Sequence, residues 1–295
     1  MTRRSLLLGM AAARWQTPKT PTLRLYYSNY AAPALSVSSA LALIRGCGYD
    51  GMELCCAKGW PSDPALLSAP ARRYIRDSGF PVHSLMQNFN LMAAAEAQGA
   101  TLEQIKITAA LAHDVSPAGP PLLQTVLGGK PGDWPAARGM MAGRLAEWAQ
   151  AAGAAGVRLA VKGHASSAID TPDKLLWLLD QVNQPAILTA NYDYSHFQLA
   201  NLEMEKTMDQ LLPRSSLITV KDSRIVDGKP QFVLPGDGNI DYTRYFRKLK
   251  QLKWQGWILA EVSSQVFRQP GYDPVESARR CYANLAPPLE ALQLR

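Results

Sequence analysis

The sequence predicts an α/β chain folded as a single (β/α)8 barrel, and three observations predict it. Eight short apolar runs recur from about residue 22 onward, with starts near 23, 50, 82, 121, 157, 186, 216 and 257. Their intervals are close to the ~30 residues of a βα unit. Helix-like patterns alternate with the runs, and no low-complexity linker divides the series. A doubly wound open sheet would usually carry a Gly-rich nucleotide turn after its first strand, whereas "YYSNYAAPAL" has none.

The strand-like runs are "LRLYYSN", "GMELCC", "PVHSLMQ", "PLLQTVLG", "VRLAVKG", "AILTANYD", "SLITVKD" and "WILAEVSS". Between them, "LSVSSALALIRGCG" ends on glycines that fit a helix C-terminus. "ARGMMAGRLAEWAQAAGAAG" is alanine-rich and also closes with glycine. "DTPDKLLWLLDQV" offers Asp170 or Thr171 as N-cap and Pro172 in the first turn. "DYTRYFRKLKQLKWQG" and "DPVESARRCYANL" supply the last helices. Two connections are long: "HDVSPAGPP" before the fourth strand and "SRIVDGKPQFVLPGDGNID" after the seventh. The second holds Asp227-Gly228, a strong hairpin signal, and it leaves the strand end where barrels build active sites.

Composition narrows the classes. With 47% hydrophobic and 19% charged residues in 295, the chain can bury the core of a soluble globular protein. Of the net charge of +7, three units are Arg3, Arg4 and Arg14, and no block of five like charges occurs. The remaining excess is a mixed solvated surface, not a nucleic-acid footprint. Cys47, Cys55, Cys56 and Cys281 lack metal or disulfide spacing and read as unpaired, mostly buried thiols. Residues 1–20 are a separate segment. Arg3-Arg4, a short apolar run and Ala11-Ala12-Ala13 read as a twin-arginine export signal, placing residues 21–295 outside the cytoplasm, and a cytoplasmic location is the alternative. That apolar run is too short to span a bilayer.

Side chains at strand C-termini are the functional candidates. They are Asn29, Glu53, Gln87 or Asn88, Gly128, Lys162 with His164, Asp193 with His196, Lys221 with Asp222, and Glu261. Trp60, Trp134 and Tyr192 are candidate stacking platforms for a sugar. His83, early in its strand, reads as a core histidine. "LPGDGN" offers backbone N–H groups for a phosphate, although so short a Gly-rich loop is also a common turn.

"GCGYDGMELC", "AGVRLAVKGH", "LTANYDYSHF" and the run from "LITVKD" through "LPGDGNIDYTRYF" to "WILAEVSS" resemble the xylose isomerase-like barrel superfamily of sugar phosphate isomerases and epimerases. The resemblance covers residues 22 to about 285. Endonuclease IV-type enzymes share that barrel, but their histidine-rich metal clusters are hard to reconcile with four histidines. The resemblance implies a divalent metal held by a glutamate ending the fifth strand, the aspartate of a D-x-x-H element, a histidine in the seventh strand and a glutamate ending the eighth. Asp193 and Glu261 match the second and fourth. Lys162 and Thr219 stand at the first and third.

An ammonium repels a divalent ion, by roughly 4 kcal/mol per pair of unit charges at ~4 Å and an effective dielectric of 20. The expectation is therefore that Lys162 takes the ion's place between Asp193 and Glu261, and that no cofactor is used. Mn²⁺ or Mg²⁺ is expected only if Lys162 lies elsewhere. On this reading Glu261, Lys162 and His164 are catalytic, while Glu53, His196, Lys221, Asp222 and Trp60 bind substrate. The ligand is a small carbohydrate, with no nucleic acid and no membrane span, and homo-oligomerisation is left open. A Schiff base on Lys162 is disfavoured because neighbouring carboxylates raise a lysine's pKa. A barrel that binds carbohydrate or a partner without turnover is the alternative.

Overall fold

The computed structural model describes residues 22–116 and 119–295; the twin-arginine segment, residues 1–20, lies outside the described residues, as do residues 117–118 of the connection before the fourth strand. In chain order the elements are β1 (Leu23–Ser28), α1 (Val37–Gly46), β2 (Gly51–Cys55), α2 (Ala69–Asp77), β3 (Val82–Gln87), α3 (Gln98–Val115), β4 (Leu122–Val126), α4 (Trp134–Ala154), β5 (Leu159–Lys162) and α5 (Pro172–Val182). Then come β6 (Leu188–Asp193), α6 (Tyr194–Gln198), α7 (Met204–Leu211), β7 (Ser215–Val220), β8 (Asp222–Val226), β9 (Lys229–Val233), α8 (Tyr242–Gln251), β10 (Gly256–Ala260), α9 (Ser264–Phe267) and α10 (Pro274–Ala291). Strands β1 to β7 and β10 close into a parallel barrel, with β10 pairing both β1 and β7. All eight expected strands are present.

The other two strands form an antiparallel hairpin whose tip is Asp227-Gly228, as the sequence predicts. Both tip residues have positive φ, 50° and 72°, which a two-residue hairpin turn requires and which aspartate and glycine tolerate. Helices α2, α3 and α7 were not among the punctuated patterns. Helix α2 is arginine-rich and buries only Ile75, so its apolar face carries little signal.

Helix caps follow the sequence. Thr171 accepts from Lys174 N–H at the start of α5, and Asp241 accepts from Arg244 N–H at the start of α8. The main core lies between sheet and helices, where Trp148 of α4 is fully buried. All four cysteines are free thiols, Cys47 half-buried and the others buried.

Inside the barrel, side chains follow the period of two along each strand. Tyr26, Leu122, Ala160, Leu217 and Leu259 form a small apolar cluster towards the strand starts. Two residues further along the last four of those strands stand Gln124, Lys162, Thr219 and Glu261, all buried and polar. Alternation thus converts an apolar floor into a polar interior within one step, at the face where the strands end. His83 lies near the floor, stacked on Trp257 at 4.6 Å and edge-on to Tyr26. Burial, then the nearby Arg158 and Arg24, push its pKa down to about 3, so it is a neutral packing residue.

Candidate active site

The polar interior has two tiers. The lower one is a hydrogen-bonded chain across the barrel. Thr219 Oγ1 donates to Asn191 Oδ1 at 2.9 Å, Asn191 Nδ2 to Gln124 Oε1 at 3.2 Å, and Gln124 Nε2 to Glu53 Oε2 at 3.1 Å. Ser84 Oγ also donates to Glu53 Oε2, at 2.6 Å. Glu53 Oε1 is buried without a partner. Burial raises the Glu53 carboxyl to about 7; the Ser84 hydrogen bond opposes that rise and the Glu261 charge adds to it.

The upper tier is a cluster of two carboxylates and two ammoniums. Lys162 Nζ donates to Glu261 Oε2 at 2.9 Å and lies 3.4 Å from Asp193 Oδ2. Lys221 Nζ donates to Glu261 Oε1 at 2.9 Å, lies 3.3 Å from Asp193 Oδ2 and donates to His196 Nε2 at 3.0 Å. Lys162 therefore sits where the sequence places it, between Asp193 and Glu261. The sequence did not pair Lys221 with the same two acids; it assigned Lys221 to the ligand. Asp193 Oδ1 is satisfied by Ser195, whose hydroxyl donates at 2.6 Å, while Oδ2 faces the ammoniums without a short hydrogen bond.

Charge sets the protonation states. Burial alone would raise the Glu261 carboxyl, but Lys162 and Lys221 outweigh it and hold it at about 2. The same balance, with Lys221 and then Lys162 acting against burial, lowers Asp193. Burial would lower the Lys162 ammonium, yet Glu261 and Asp193 overcome it and hold its pKa above the ordinary value, so Lys162 stays charged. His164 is pushed down to about 4 by burial and then by Lys221 and Lys162. Its Nδ1 accepts from Ser166 N–H at 3.2 Å, which leaves the ring proton on Nε2. His196 is also depressed, first by burial and then by Lys221. The two neutral imidazoles pack together, with ring centroids 3.9 Å apart.

The cluster opens into a cavity of about 240 Å³ lined by Lys162, His164, Lys221, Glu261, Tyr30 and Phe232 with neighbouring serines and glycines. Phe232 comes from β9, places its ring 4.8 Å from Lys221 Nζ and meets His196 edge-on. The hairpin after β7 thus supplies part of the cavity wall.

Several expected site residues do other work. Asp222 was expected to bind substrate, but its carboxylate accepts from the N–H groups of Ser223, Gly236 and Ile240 and anchors the following loop. Those bonds use the Gly236 N–H of "LPGDGN", and the Asp237 and Asn239 N–H groups donate to the Leu234 and Ser223 carbonyls, so three of the loop's backbone donors are already engaged. A Cβ on Gly238 would lie 2.2 Å from Asp222 Oδ1, which is why glycine stands there. Trp60 stacks on Tyr30 and donates to Tyr30 O; it does not line the cavity. Trp134 packs on Trp177, and Tyr192 is buried with its hydroxyl near Thr207. The aromatic rings at the cavity are instead Tyr30 and Phe232. His196 and Glu53 lie behind the lining, touching it through Lys221 and Gln124. Asn29 braces the loop after β2, accepting from Cys55 N–H and donating to Ser62. Among the described residues, no group of three His, Cys, Asp or Glu side chains is arranged to hold a metal ion.

A closed parallel barrel with titratable groups gathered at its strand C-termini places the chain in the class of (β/α)8 barrels, whose functional sites form at that face. Within that class the chain belongs to the xylose isomerase-like TIM barrel family, whose profile matches residues 41–284. That family includes sugar epimerases and dehydratases. The inosose dehydratase of Yersinia enterocolitica is 25% identical over 133 residues, covering 40% of this chain and 45% of that protein. The chain thus spans less than half the length of that curated relative. Among solved structures, the probable 3-DHS dehydratase AsbF of Bacillus anthracis superposes with a TM-score of 0.72 at 16% identity, covering 89% of this chain and 98% of that one. An L-ribulose 3-epimerase gives a TM-score of 0.72 at 18% identity over 91% and 95%. At such identities these likenesses show the fold alone. No helix among the described residues is long and apolar enough to cross a membrane.

Proposed function

We propose that the barrel binds a small ketone-bearing carbohydrate in its mouth and moves a proton at the carbon beside the ketone, without a divalent ion. The observation that carries this is the paired ammonium cluster. Lys162 and Lys221 stand within 2.9–3.4 Å of both acids that a metal would need. Four oxygen or imidazole ligands with a negative first shell suit Mg²⁺ or Mn²⁺. Two cations among the donors do not, so no step here uses a metal.

The chain's own groups divide the work. Of the three donors on Lys221, each already faces Glu261, Asp193 or His196. Lys162 has two such partners and keeps one N–H for a substrate oxygen. That N–H and the Nε2–H of neutral His164 stabilise negative charge on the oxygen of an enediolate. Glu261, which lines the cavity, is the base. A carboxylate held at about 2 is a weak base. Sharing Lys162 with a substrate oxygen loosens the hold on Glu261 and raises its proton affinity. The names of the relatives, an inosose dehydratase and a ribulose epimerase, favour a keto-polyol. Glu261's low proton affinity also favours the second reading, a barrel that binds such a ligand without turnover. Export through residues 1–20 goes with the proposal, and Arg3→Lys with Arg4→Lys is expected to retain the protein in the cytoplasm.

The test is solvent exchange. The chelator-treated protein is incubated with inosose, L-ribulose or D-fructose in D2O, and the proton next to the ketone is followed by NMR. Exchange without metal, abolished by Glu261→Gln, is the expected result. Exchange that appears only with added Mn²⁺ overturns the metal-free mechanism. Binding without exchange selects the second reading.

A further inference from the structure

A second hollow, of about 640 Å³, lies at the same end of the barrel, between the loop after β2 and the first turns of α3. It meets the cavity at Gln87 and Asn88, where β3 ends, and these two residues line both. Gln87 is buried and its Nε2 donates to Thr108 Oγ1 of α3, so its side chain is turned outward from the barrel. The partition between the hollows is therefore the strand end and the exposed Asn88 side chain.

The lining of the second hollow specifies its ligand. Its carboxylate, Asp63, is already engaged: Oδ2 accepts from Gly59 N–H and Oδ1 from Ala65 N–H. Lys58 and the amides of Asn88 and Gln104 are left to face a ligand. Small apolar ground separates them, at Ala97 and Ala100. Phe89 and Cys56, both buried, and the small Ala57 and Ala65 complete the apolar part of the lining. Scattered amide groups over small apolar patches match a pyranose ring, with hydroxyls at its edge and C–H groups on its faces. The first cavity, at about 240 Å³, falls below the roughly 300–1,000 Å³ of common small-molecule sites, so one sugar ring fills it.

Building on the carbohydrate reading above, we infer that the ligand has two or more sugar rings. The ketone-bearing ring occupies the cavity at Lys162 and Glu261, and the next ring crosses Asn88 into the hollow beside α3. The protein is thus built for a glycoside or oligosaccharide.

Calorimetric titration of the full chain with D-fructose and with its glucosyl derivatives isomaltulose, turanose and leucrose tests this. At least one disaccharide is expected to bind tenfold or more tightly than D-fructose. Ala100→Trp fills the hollow from an exposed helix position, away from the cluster. It is expected to reduce the disaccharide affinity to that of D-fructose and to leave D-fructose binding unchanged. If D-fructose binds and no disaccharide binds more tightly, or if Ala100→Trp weakens both equally, the second subsite is refuted while the carbohydrate reading stands. If none of the four sugars binds, the carbohydrate reading itself fails and the subsite with it.

Discussion

Replacing Lys162 with methionine keeps the length of the side chain and removes its charge. In the wild type that ammonium is 3% exposed, 2.9 Å from Glu261 and 3.4 Å from Asp193. Without it, two buried carboxylates share one ammonium, Lys221. Breaking a buried ion cluster by removing one partner costs about 3–5 kcal/mol. The Glu261 carboxyl points the same way: against burial, Lys162 and then Lys221 hold it at about 2, below its ordinary value. The sign follows from that depression: the contribution is complete above pH 4.5 and is lost as the pH falls towards 2. In the variant, burial acts on Glu261 against Lys221 alone, so Glu261 takes up its proton at higher pH. The stability gap between wild type and variant is therefore widest near pH 7 and narrows towards pH 4. Urea unfolding followed by tryptophan fluorescence at pH 7, 5.5 and 4 measures it. Adding Glu261→Gln to the variant removes the stranded charge and is expected to restore at least half of the loss. A deficit at pH 7 below about 1 kcal/mol, the range of an exposed ion pair, would refute the reasoning. So would a gap that does not change with pH.

Three further outcomes follow from the same geometry. The Glu53 carboxyl is raised to about 7, so its contribution favours the fold below pH 4.5 and is lost as the pH rises through 7. Glu53→Gln is thus expected to gain up to about 3 kcal/mol on the wild type between pH 5 and pH 8, read by denaturant unfolding at both. From the sequence, Lys162→Glu with Thr219→His creates metal affinity; Lys221 among the same acids makes the triple variant with Lys221→Gln the one expected to bind Mn²⁺ stoichiometrically, and calorimetry showing none would contradict it. Gly238→Ala forces a methyl onto the Asp222 carboxylate and is expected to cost about 1–3 kcal/mol through lost loop hydrogen bonds, with rapid proteolysis between residues 222 and 240 as the readout.

How legible the molecule was depended on whether a signal is local. Strands were legible because a buried strand is a continuous apolar run, and the hairpin because Asp227-Gly228 carries its own turn. Lys162 was legible because its register within "VRLAVKG" is fixed by the preceding apolar residues. The pairing of Lys221 with the two acids was not legible, for a different reason. Residue identity places it on the inner face, but its partners Asp193 and Glu261 come from β6 and from the end of β10, and only barrel closure brings the three together. Asp222 looked like a site residue because it follows Lys221 at a strand end. Its donors, Gly236 and Ile240, lie 14 and 18 positions downstream, beyond any local pattern. The position of Trp60 on Tyr30 was not legible, because the path of the loop after β2, not the strand, decides where its ring stacks.

The lower tier has a direction. From Thr219 through Asn191 and Gln124, every group gives its hydrogen towards the β2 wall, and Ser84 gives its own to the same oxygen. Oε2 of Glu53 thereby accepts two hydrogen bonds, while Oε1 is buried without one. Turning over either amide would reverse the dipoles and set two donors or two acceptors face to face. The barrel interior therefore holds a one-way string of dipoles that starts at the β7 hydroxyl and ends on the β2 carboxyl.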